Sequence, residues 1–458
     1  VKQSRIEDVL PLSPLQEGLF FHHLLGGAED DVYTAQLVIG LHGPVDAALL
    51  RASAEQLLHR HPHLRAAVRQ RRRGGAVQVV PRDVVVDWWE RALDEDNLAE
   101  VLSEDRARGF DVTRPPLIRF GLVRVTSDAS WRLVITNHHL VLDGWSMPVL
   151  VGELLEIYRA GGRTDTLPPV TPFREFLGWL AGRDEATARR VWGQVLAGAE
   201  PTLLAPKAPP AGPPADVEVA LPAGLTSALT ELARSSGVTV STVLQAGWSV
   251  VLARLSGREE AMFGATVSGR PPELAGVERM VGTFINTVPV RVRLDPEESV
   301  TGLLSRLQSE QAELLPYQHV GLAELQGLAG GGELFDSLIV FENYPVDTRA
   351  LTDRFADSGI RFTHVEGHGA NHYPLSIVAV PGERLTLRFD HRADVFDETT
   401  VEGIAGAVVR VLEAMAEGPE RPVVSLAVLD GDGRKAPAPV DGPDDGRSLP
   451  ELFAEQVA

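Results

Sequence analysis

Between Pro201 and Pro214, six of fourteen residues are proline. Each proline removes a backbone N–H and fixes φ, so neither a helix interior nor a sheet ladder tolerates that density. The stretch 201–214 therefore predicts a linker. It divides a chain of 458 residues into an N-terminal lobe, 1–200, and a C-terminal lobe, 215–430. Each lobe falls within the roughly 50–250 residues that one domain holds. A second stretch rich in Gly, Pro and Asp, 431–446, predicts another linker. Ser448–Ala458 then reads as an amphipathic helix that opens a further module.

Hydrophobic residues make up 44% of the chain, enough for two cores. Lys and Arg total 43 against 63 Asp and Glu, a net charge of −20. That balance argues against a nucleic-acid binder, which needs a basic face to neutralise phosphates. The one basic run, Arg69–Arg73, is followed by Gly74-Gly75 and reads as a solvated hairpin tip. The absence of cysteine excludes disulfides, thiolate nucleophiles and zinc–cysteine sites. The first residues lack the apolar core of a signal peptide. No apolar stretch approaches the roughly 20 residues of a membrane span. The expectation is a soluble, cytoplasmic protein with no membrane and no nucleic-acid partner.

Both halves mix strands and helices, an α/β (α+β) class, without an obvious repeat. Ser13 is placed to cap a helix over 14–25, with Pro14 at its first position and Gln16 reaching back. A strand follows at 33–42, and Asp46 caps a helix over 47–59. Strands are predicted at 76–80, 116–125 and 131–137, and helices at 148–159 and 172–200. In the second half, helices are predicted at 223–236, 239–256, 299–315 and 397–417. Strands are predicted there at 261–267, 286–294, 335–342, 374–380, 384–390 and 423–428.

Few residues offer chemistry. There is no Gly-x-Ser-x-Gly elbow, no phosphate-binding Gly-x-x-x-x-Gly-Lys loop and no His-Glu-x-x-His pair. Two histidine pairs remain. His22-His23 lies among Phe20, Phe21, Leu24 and Leu25 and reads as a packed or surface pair. His138-His139 ends a β-branched strand and precedes the turn signal Asp143-Gly144. Successive strand side chains point to opposite faces, so only one of these two histidines can face a given cavity. That disfavours a metal site using both, and no metal is expected.

The segment His138-His139-Leu140-Val141-Leu142-Asp143-Gly144 resembles the His-His-x-x-x-Asp-Gly signature of nonribosomal peptide synthetase condensation domains. Five further segments resemble that family's motifs in the family's order: Leu12–Gly18, Arg60–Arg65, Val281–Arg291, Tyr317–His319 and Asn371–Leu375. The resemblance implies two chloramphenicol-acetyltransferase-like lobes in a V-shaped pseudo-dimer with a tunnel between them. It implies a reaction in which the α-amine of an acceptor aminoacyl thioester attacks a donor thioester, forming a peptide bond. No intrinsic cofactor is implied. Both substrates would ride on phosphopantetheine arms of an upstream donor carrier and a downstream acceptor carrier, with an adenylation domain adjacent in the same chain. The thioester is already activated, so no enzyme nucleophile is needed, which fits the missing cysteine and serine elbow.

By the same resemblance His139 faces the tunnel, either accepting the amine proton or only aligning the amine. His138 points away and helps fix the loop. Gly144 gives the backbone room and offers its N–H to the oxyanion. Asp143 holds the loop through an ion pair, for which Arg65 is the expected partner. Trp145, Ser146, Ser268 and Asn286 are expected along the substrate tunnel. An epimerisation domain shares the signature, but Phe341-Glu342-Asn343-Tyr344-Pro345 looks more like condensation domains. A heterocyclisation domain would carry aspartate in place of the signature histidines. An inactive recruitment module would lose the histidine or the Asp-Gly. The runs Ser13–Gly18 and Leu142–Pro148 look like the subtype that takes a D-configured donor and an L-configured acceptor.

Overall fold

The β-branched run that carries the histidine pair forms a central strand in a computed structural model of the chain. The structure describes residues 5–26, 32–72, 74–128, 130–205, 214–342, 351–353, 355–369, 371–426 and 428. The segment 431–458, with its expected linker and module start, lies outside these residues, as do Arg73, 206–213 and Asn343-Tyr344-Pro345. The first elements are β1 (Ile6–Pro11), α1 (Pro14–Gly26), β2 (Thr34–His42), α2 (Ala47–Arg60), β3 (Ala67–Gln70), β4 (Ala76–Pro81) and β5 (Asp87–Leu93). They are followed by α3 (Leu98–Ala107), β6 (Ile118–Val125), β7 (Trp131–His138), α4 (Ser146–Arg159), α5 (Phe173–Ala181) and α6 (Glu185–Val195). Then come β8 (Pro214–Ala220), α7 (Ala223–Ser235), α8 (Val240–Ser256), β9 (Glu260–Val267), β10 (Asn286–Arg293), α9 (Val300–Leu314) and α10 (Leu322–Leu328). The last are β11 (Ser337–Phe341), β12 (Arg361–His368), β13 (Leu375–Val380), β14 (Thr386–Arg392) and α11 (Glu398–Glu417).

The chain divides into two compact units. The first contains Val1–Arg183, Ser268–Ile285 and Tyr344–Asn371. Its main sheet has the order β12-β2-β7-β6-β5, beside a small sheet β1-β4-β3. The second contains Asp184–Val267, Asn286–Asn343 and His372–Ala458, around a sheet of order β10-β9-β11-β13-β14-β8. Helices cover these sheets, so the fold is of mixed α/β class, and each unit has its own apolar core.

The division differs from a cut at the prolines. The break falls at Arg183/Asp184 because α6 is already anchored in the second unit. Trp192 is fully buried there and its indole N–H donates to the Tyr317 carbonyl at 2.9 Å. Of the 201–214 stretch, Thr202 N–H bonds the Leu334 carbonyl, and Leu204 and Ala205 N–H groups bond the Asp336 carboxylate. Proline forbids regular structure but not attachment to a neighbour. Burial raises the Asp336 pKa to about 6, against the opposing pull of those backbone donors. The expected single helix over 172–200 is two helices, interrupted at Gly182–Asp184, where Asp184 caps the second by accepting from Thr187 N–H. The strand expected at 423–428 is a 3₁₀ turn, Val423–Ser425.

Local signals account for the first helices. Ser13 Oγ accepts from Gln16 N–H and Gln16 Oε1 accepts from Ser13 N–H, a reciprocal cap. Asp46 caps α2 through Leu49 N–H. The end of α2 is clamped to α4 by one carboxylate. Glu153 accepts two hydrogen bonds from Arg60, at 2.7 and 3.2 Å, and lies 2.6 Å from His61 Nε2. Burial would raise the Glu153 pKa, but the hydrogen bonds from His61 and Arg60 win and hold it near 2. A carboxylate with a depressed folded pKa adds stability above its ordinary value of 4.5, and that stability is lost as pH falls through the folded pKa. The Glu153→Gln variant should therefore be less stable than wild type at neutral pH by roughly 2–3 kcal/mol. The difference should shrink as pH falls from about 4.5 toward 2, measured by denaturant unfolding across that range; a constant difference would remove the assignment.

Candidate active site at the end of the central strand

Strand β7 pairs with β2 on one side and β6 on the other, and the register sets Thr34 opposite His138. The next residue, His139, leaves the sheet but keeps one more bond, from its N–H to the Tyr33 carbonyl at 3.0 Å. The three apolar residues that follow are anchors: Leu140, Val141 and Leu142 are fully buried in the core of the first unit. Gln16 reaches the loop from α1 and donates to the Leu140 carbonyl at 2.6 Å. The opening motif thus caps its own helix with one amide atom and holds the histidine loop with the other.

The two histidines take different hydrogen-bonding roles. His138 is fully buried, and its Nδ1 accepts from the Leu140 N–H at 2.9 Å. That bond leaves its ring proton on Nε2. His139 is partly exposed, and its Nδ1 lies 3.2 Å from the Leu142 carbonyl. A carbonyl oxygen only accepts, so Nδ1 carries the proton and the neutral ring has its lone pair on Nε2.

Asp143 is the most heavily used acceptor of the loop. Its carboxylate has no exposed surface. Oδ1 accepts from Ser146 N–H at 2.8 Å, fixing the first turn of α4. Oδ2 accepts from Phe284 and Ile285 N–H at 2.8 and 3.3 Å. Arg270 Nη2 lies 3.6 Å from Oδ1. Both Arg270 and residues 282–285 belong to the segment Ser268–Ile285, which joins β9 to β10 and packs within the first unit. Arg270 is itself buried, with bonds to the Met280 carbonyl and Ser146 Oγ, and its guanidinium lies 4.0 Å from the Phe284 ring centroid. Burial pulls its pKa below the ordinary arginine value while Asp143 pushes it back up.

The ion pair expected between Asp143 and Arg65 is not formed. Arg65 pairs instead with Glu7 at 3.0 Å and donates to the Leu58, Pro81 and Arg82 carbonyls. It ties the turn after α2 to β1 and β4. Asp143 holds the loop through an arginine 127 positions further on, counting from Asp143 to Arg270. Nothing in the spacing around the signature reveals that partner, although Ser268-Gly269-Arg270 marks a tight turn. Gly269 has φ +60°, and a Cβ there would meet the Phe284 carbonyl oxygen at 1.8 Å. Gly282 is pressed against Phe173, whose ring a Cβ would meet at 2.3 Å. Gly269 thus lets the segment fold back on its own Phe284 carbonyl, and Gly282 lets it pack on the Phe173 ring of α5.

The remaining expected site residues divide. Gly144 and Trp145 are partly exposed at the head of α4. Ser146 is fully buried; its hydroxyl donates to the Gly282 carbonyl and accepts from Gly282 N–H and Arg270. Ser268 is exposed. Asn286 begins β10 in the second unit, and both of its amide hydrogens are used, on the Gln318 and Val320 carbonyls at 2.7 Å. Its amide thus ties β10 to the stretch that follows the Tyr317 turn. His22 and His23 are partly buried on α1, the His23 ring 6.3 Å from that of His138. Among the described residues no group of three or more His, Asp or Glu could hold a metal ion, and no single helix is long and apolar enough to cross a membrane.

The site as built is thus a strand-end imidazole with its ring proton on Nδ1 and its lone pair on Nε2. Residues 6–436 match the condensation-domain family. The chain is 36% identical to a linear gramicidin synthase protein of Brevibacillus parabrevis over 94% of its own length and 9% of that protein's. It is 32% identical to bacitracin synthase 3 of Bacillus licheniformis over 93% of its length and 7% of that protein's. It thus spans less than a tenth of these relatives. The first condensation domain of the calcium-dependent antibiotic synthetase, in complex with a substrate analogue, superposes with a TM-score of 0.77 at 21% identity, covering 92% of this chain and 99% of that one. The chain belongs to the condensation-domain family of nonribosomal peptide synthetases. Domains of this family form amide bonds between carrier-bound acyl groups.

Removing Asp143 strips the acceptor from three N–H groups and leaves Arg270 buried without its counter-charge, a change worth about 3–5 kcal/mol. Asp143→Ala should lower both the thermal midpoint and the rate. In double-mutant cycles, Asp143 and Arg270 should couple by about 1 kcal/mol or more, and Asp143 and Arg65 by less than about 0.5 kcal/mol. Coupling of the second pair instead of the first would contradict the geometry.

Proposed function

We propose that this chain joins a donor acyl group to the α-amine of an acceptor aminoacyl group, both carried as phosphopantetheine thioesters by separate carrier proteins. The observation that carries the reading is the His139 hydrogen bond from Nδ1 to the Leu142 carbonyl, which leaves Nε2 as the basic atom. The amine nitrogen attacks the thioester carbonyl, a C–N bond forms, and the carbonyl oxygen becomes an oxyanion. Nε2 takes the proton released by the nitrogen. The C–S bond then breaks and the proton passes to the leaving thiolate, so the ring is regenerated. The chain supplies no covalent intermediate and no cofactor of its own. Holding the two thioesters in reacting geometry is worth roughly 7–11 kcal/mol.

His138 fixes the loop by accepting from Leu140 N–H, and Asp143 fixes the first turn of α4. The Gly144 N–H, at the positive end of that helix, is the oxyanion donor in this reading. An adenylation domain in the same synthetase supplies the aminoacyl group to the acceptor carrier. The donor is D-configured at its reacting residue and the acceptor L-configured, a reading supported by the resemblance of Ser13–Gly18 and Leu142–Pro148 to that subtype.

His139→Ala should lower the rate of dipeptidyl-thioester formation by about 10²–10⁴ while the thermal midpoint stays near wild type. The assay uses carriers loaded with N-acetyl-D-alanyl and L-alanyl groups and is read by mass spectrometry. A folded variant with normal turnover would reject the role. With N-acetyl-L-alanyl donor in place of the D form, product formation should fall at least tenfold. Equal rates for the two donors would reject the stereochemical assignment.

A further inference from the structure

The catalytic histidine is held on more sides than the signature explains. Its N–H is held by the Tyr33 carbonyl and its Nδ1 by the Leu142 carbonyl. Its own carbonyl oxygen accepts a hydrogen bond of 2.6 Å from the Thr283 hydroxyl. Thr283 has no exposed surface. It sits in the middle of a strip whose neighbours are all bonded to the same loop: Gly282 to Asp143 N–H and Ser146, Phe284 and Ile285 to the Asp143 carboxylate.

We propose that Thr283 is a positioning residue for His139, acting through the His139 peptide group to fix where Nε2 stands. The inference rests on the reading of His139 as the base. The argument is geometric. The peptide that carries the His139 carbonyl sets the direction of the loop leading to Leu142, and the Leu142 carbonyl sets the ring tautomer. A hydroxyl has one hydrogen to donate, and here it goes to this carbonyl. A β-branched side chain has few χ1 states, so that hydrogen is aimed before substrate binds. With the bond removed, a part-buried carbonyl loses this donor, and the loop shifts in response. A misplacement of about 1 Å at a reacting group costs on the order of 10²-fold in rate.

The test compares Thr283→Val, which keeps the shape and removes the hydroxyl, with Thr283→Ser, which keeps the hydroxyl. Both use this chain with carriers bearing N-acetyl-D-alanyl and L-alanyl groups. Thr283→Val should lower kcat ten- to a hundredfold with KM for the acceptor carrier within twofold of wild type; Thr283→Ser should stay within threefold on both. Thr242→Val controls for loss of any buried hydroxyl. Thr242 is likewise buried, in α8 of the second unit, and donates to Gln308 at 2.7 Å, so its loss should lower the thermal midpoint without lowering kcat. Nitrogen-15 spectra of the His139 ring give a readout independent of turnover: wild type and Thr283→Ser should hold the Nδ1–H tautomer, and Thr283→Val should show a mixture. A Thr283→Val variant with kcat within threefold of wild type, or equal losses for Val and Ser, overturns the proposal. Should His139→Ala prove fully active, the functional reading fails, and an unchanged ring spectrum in Thr283→Val would then show that Thr283 does not position the imidazole either.

Discussion

One buried carboxylate organises the site. Asp143 accepts from Ser146, Phe284 and Ile285 N–H groups and sits beside the Arg270 guanidinium. A charge in that position is tolerable only because every direction around it offers a donor. The same four partners come from two distant stretches of sequence, so the carboxylate fixes both the start of α4 and the course of residues 268–285. The loop between His138 and Asp143 is stretched between the end of β7 and this anchor. Its three middle side chains fill core space, and its carbonyls at Leu140 and Leu142 are spoken for by Gln16 and His139.

The scattered motifs acquire a common physical meaning from this arrangement. Gln16 of the opening motif grips the loop from α1. Arg60 and His61 of the second motif hold Glu153 on α4, the helix whose first turn Asp143 caps. Thr283 to Ile285 brace the loop from the other chain segment. Gln16, Asp143 and Thr283 to Ile285 hold the loop that carries the His139 imidazole, and Arg60 and His61 hold the helix that follows it.

Strands with two neighbours were legible in the sequence. The apolar runs of β7, β9, β11 and β13 are buried over most of their length and announce themselves. The strands the sequence did not reveal, β1, β3, β5, β8 and β12, all lie at the edge of a sheet. β12 shows why. Only Phe362 in Arg361–His368 is buried, so no alternation of apolar residues marks it. Its place in the first unit is set by pairing with β2, a contact more than 300 residues away in sequence. The boundary near Pro201 was misplaced for a related reason: α6 belongs where Trp192 is buried, and local composition does not say where that is.

By itself the sequence determined the mixed class of the fold, the caps of α1 and α2, and the place of the histidine pair at the end of a strand, before a turn. These follow from local periodicity, side chains within a turn of each other, and a motif contiguous in the chain. Tertiary structure alone decided the partner of Asp143, the burial of Ser146, the engagement of both Asn286 donors and the bond from Thr283 to His139. Each depends on which distant segment is brought against the loop. Arg65 and Arg270 carry the same charge and the same donors; what separates them is that residues 282–285 hydrogen-bond to the Asp143 loop and Arg270 lies in the same segment, while Glu7 and three carbonyls hold the other arginine elsewhere.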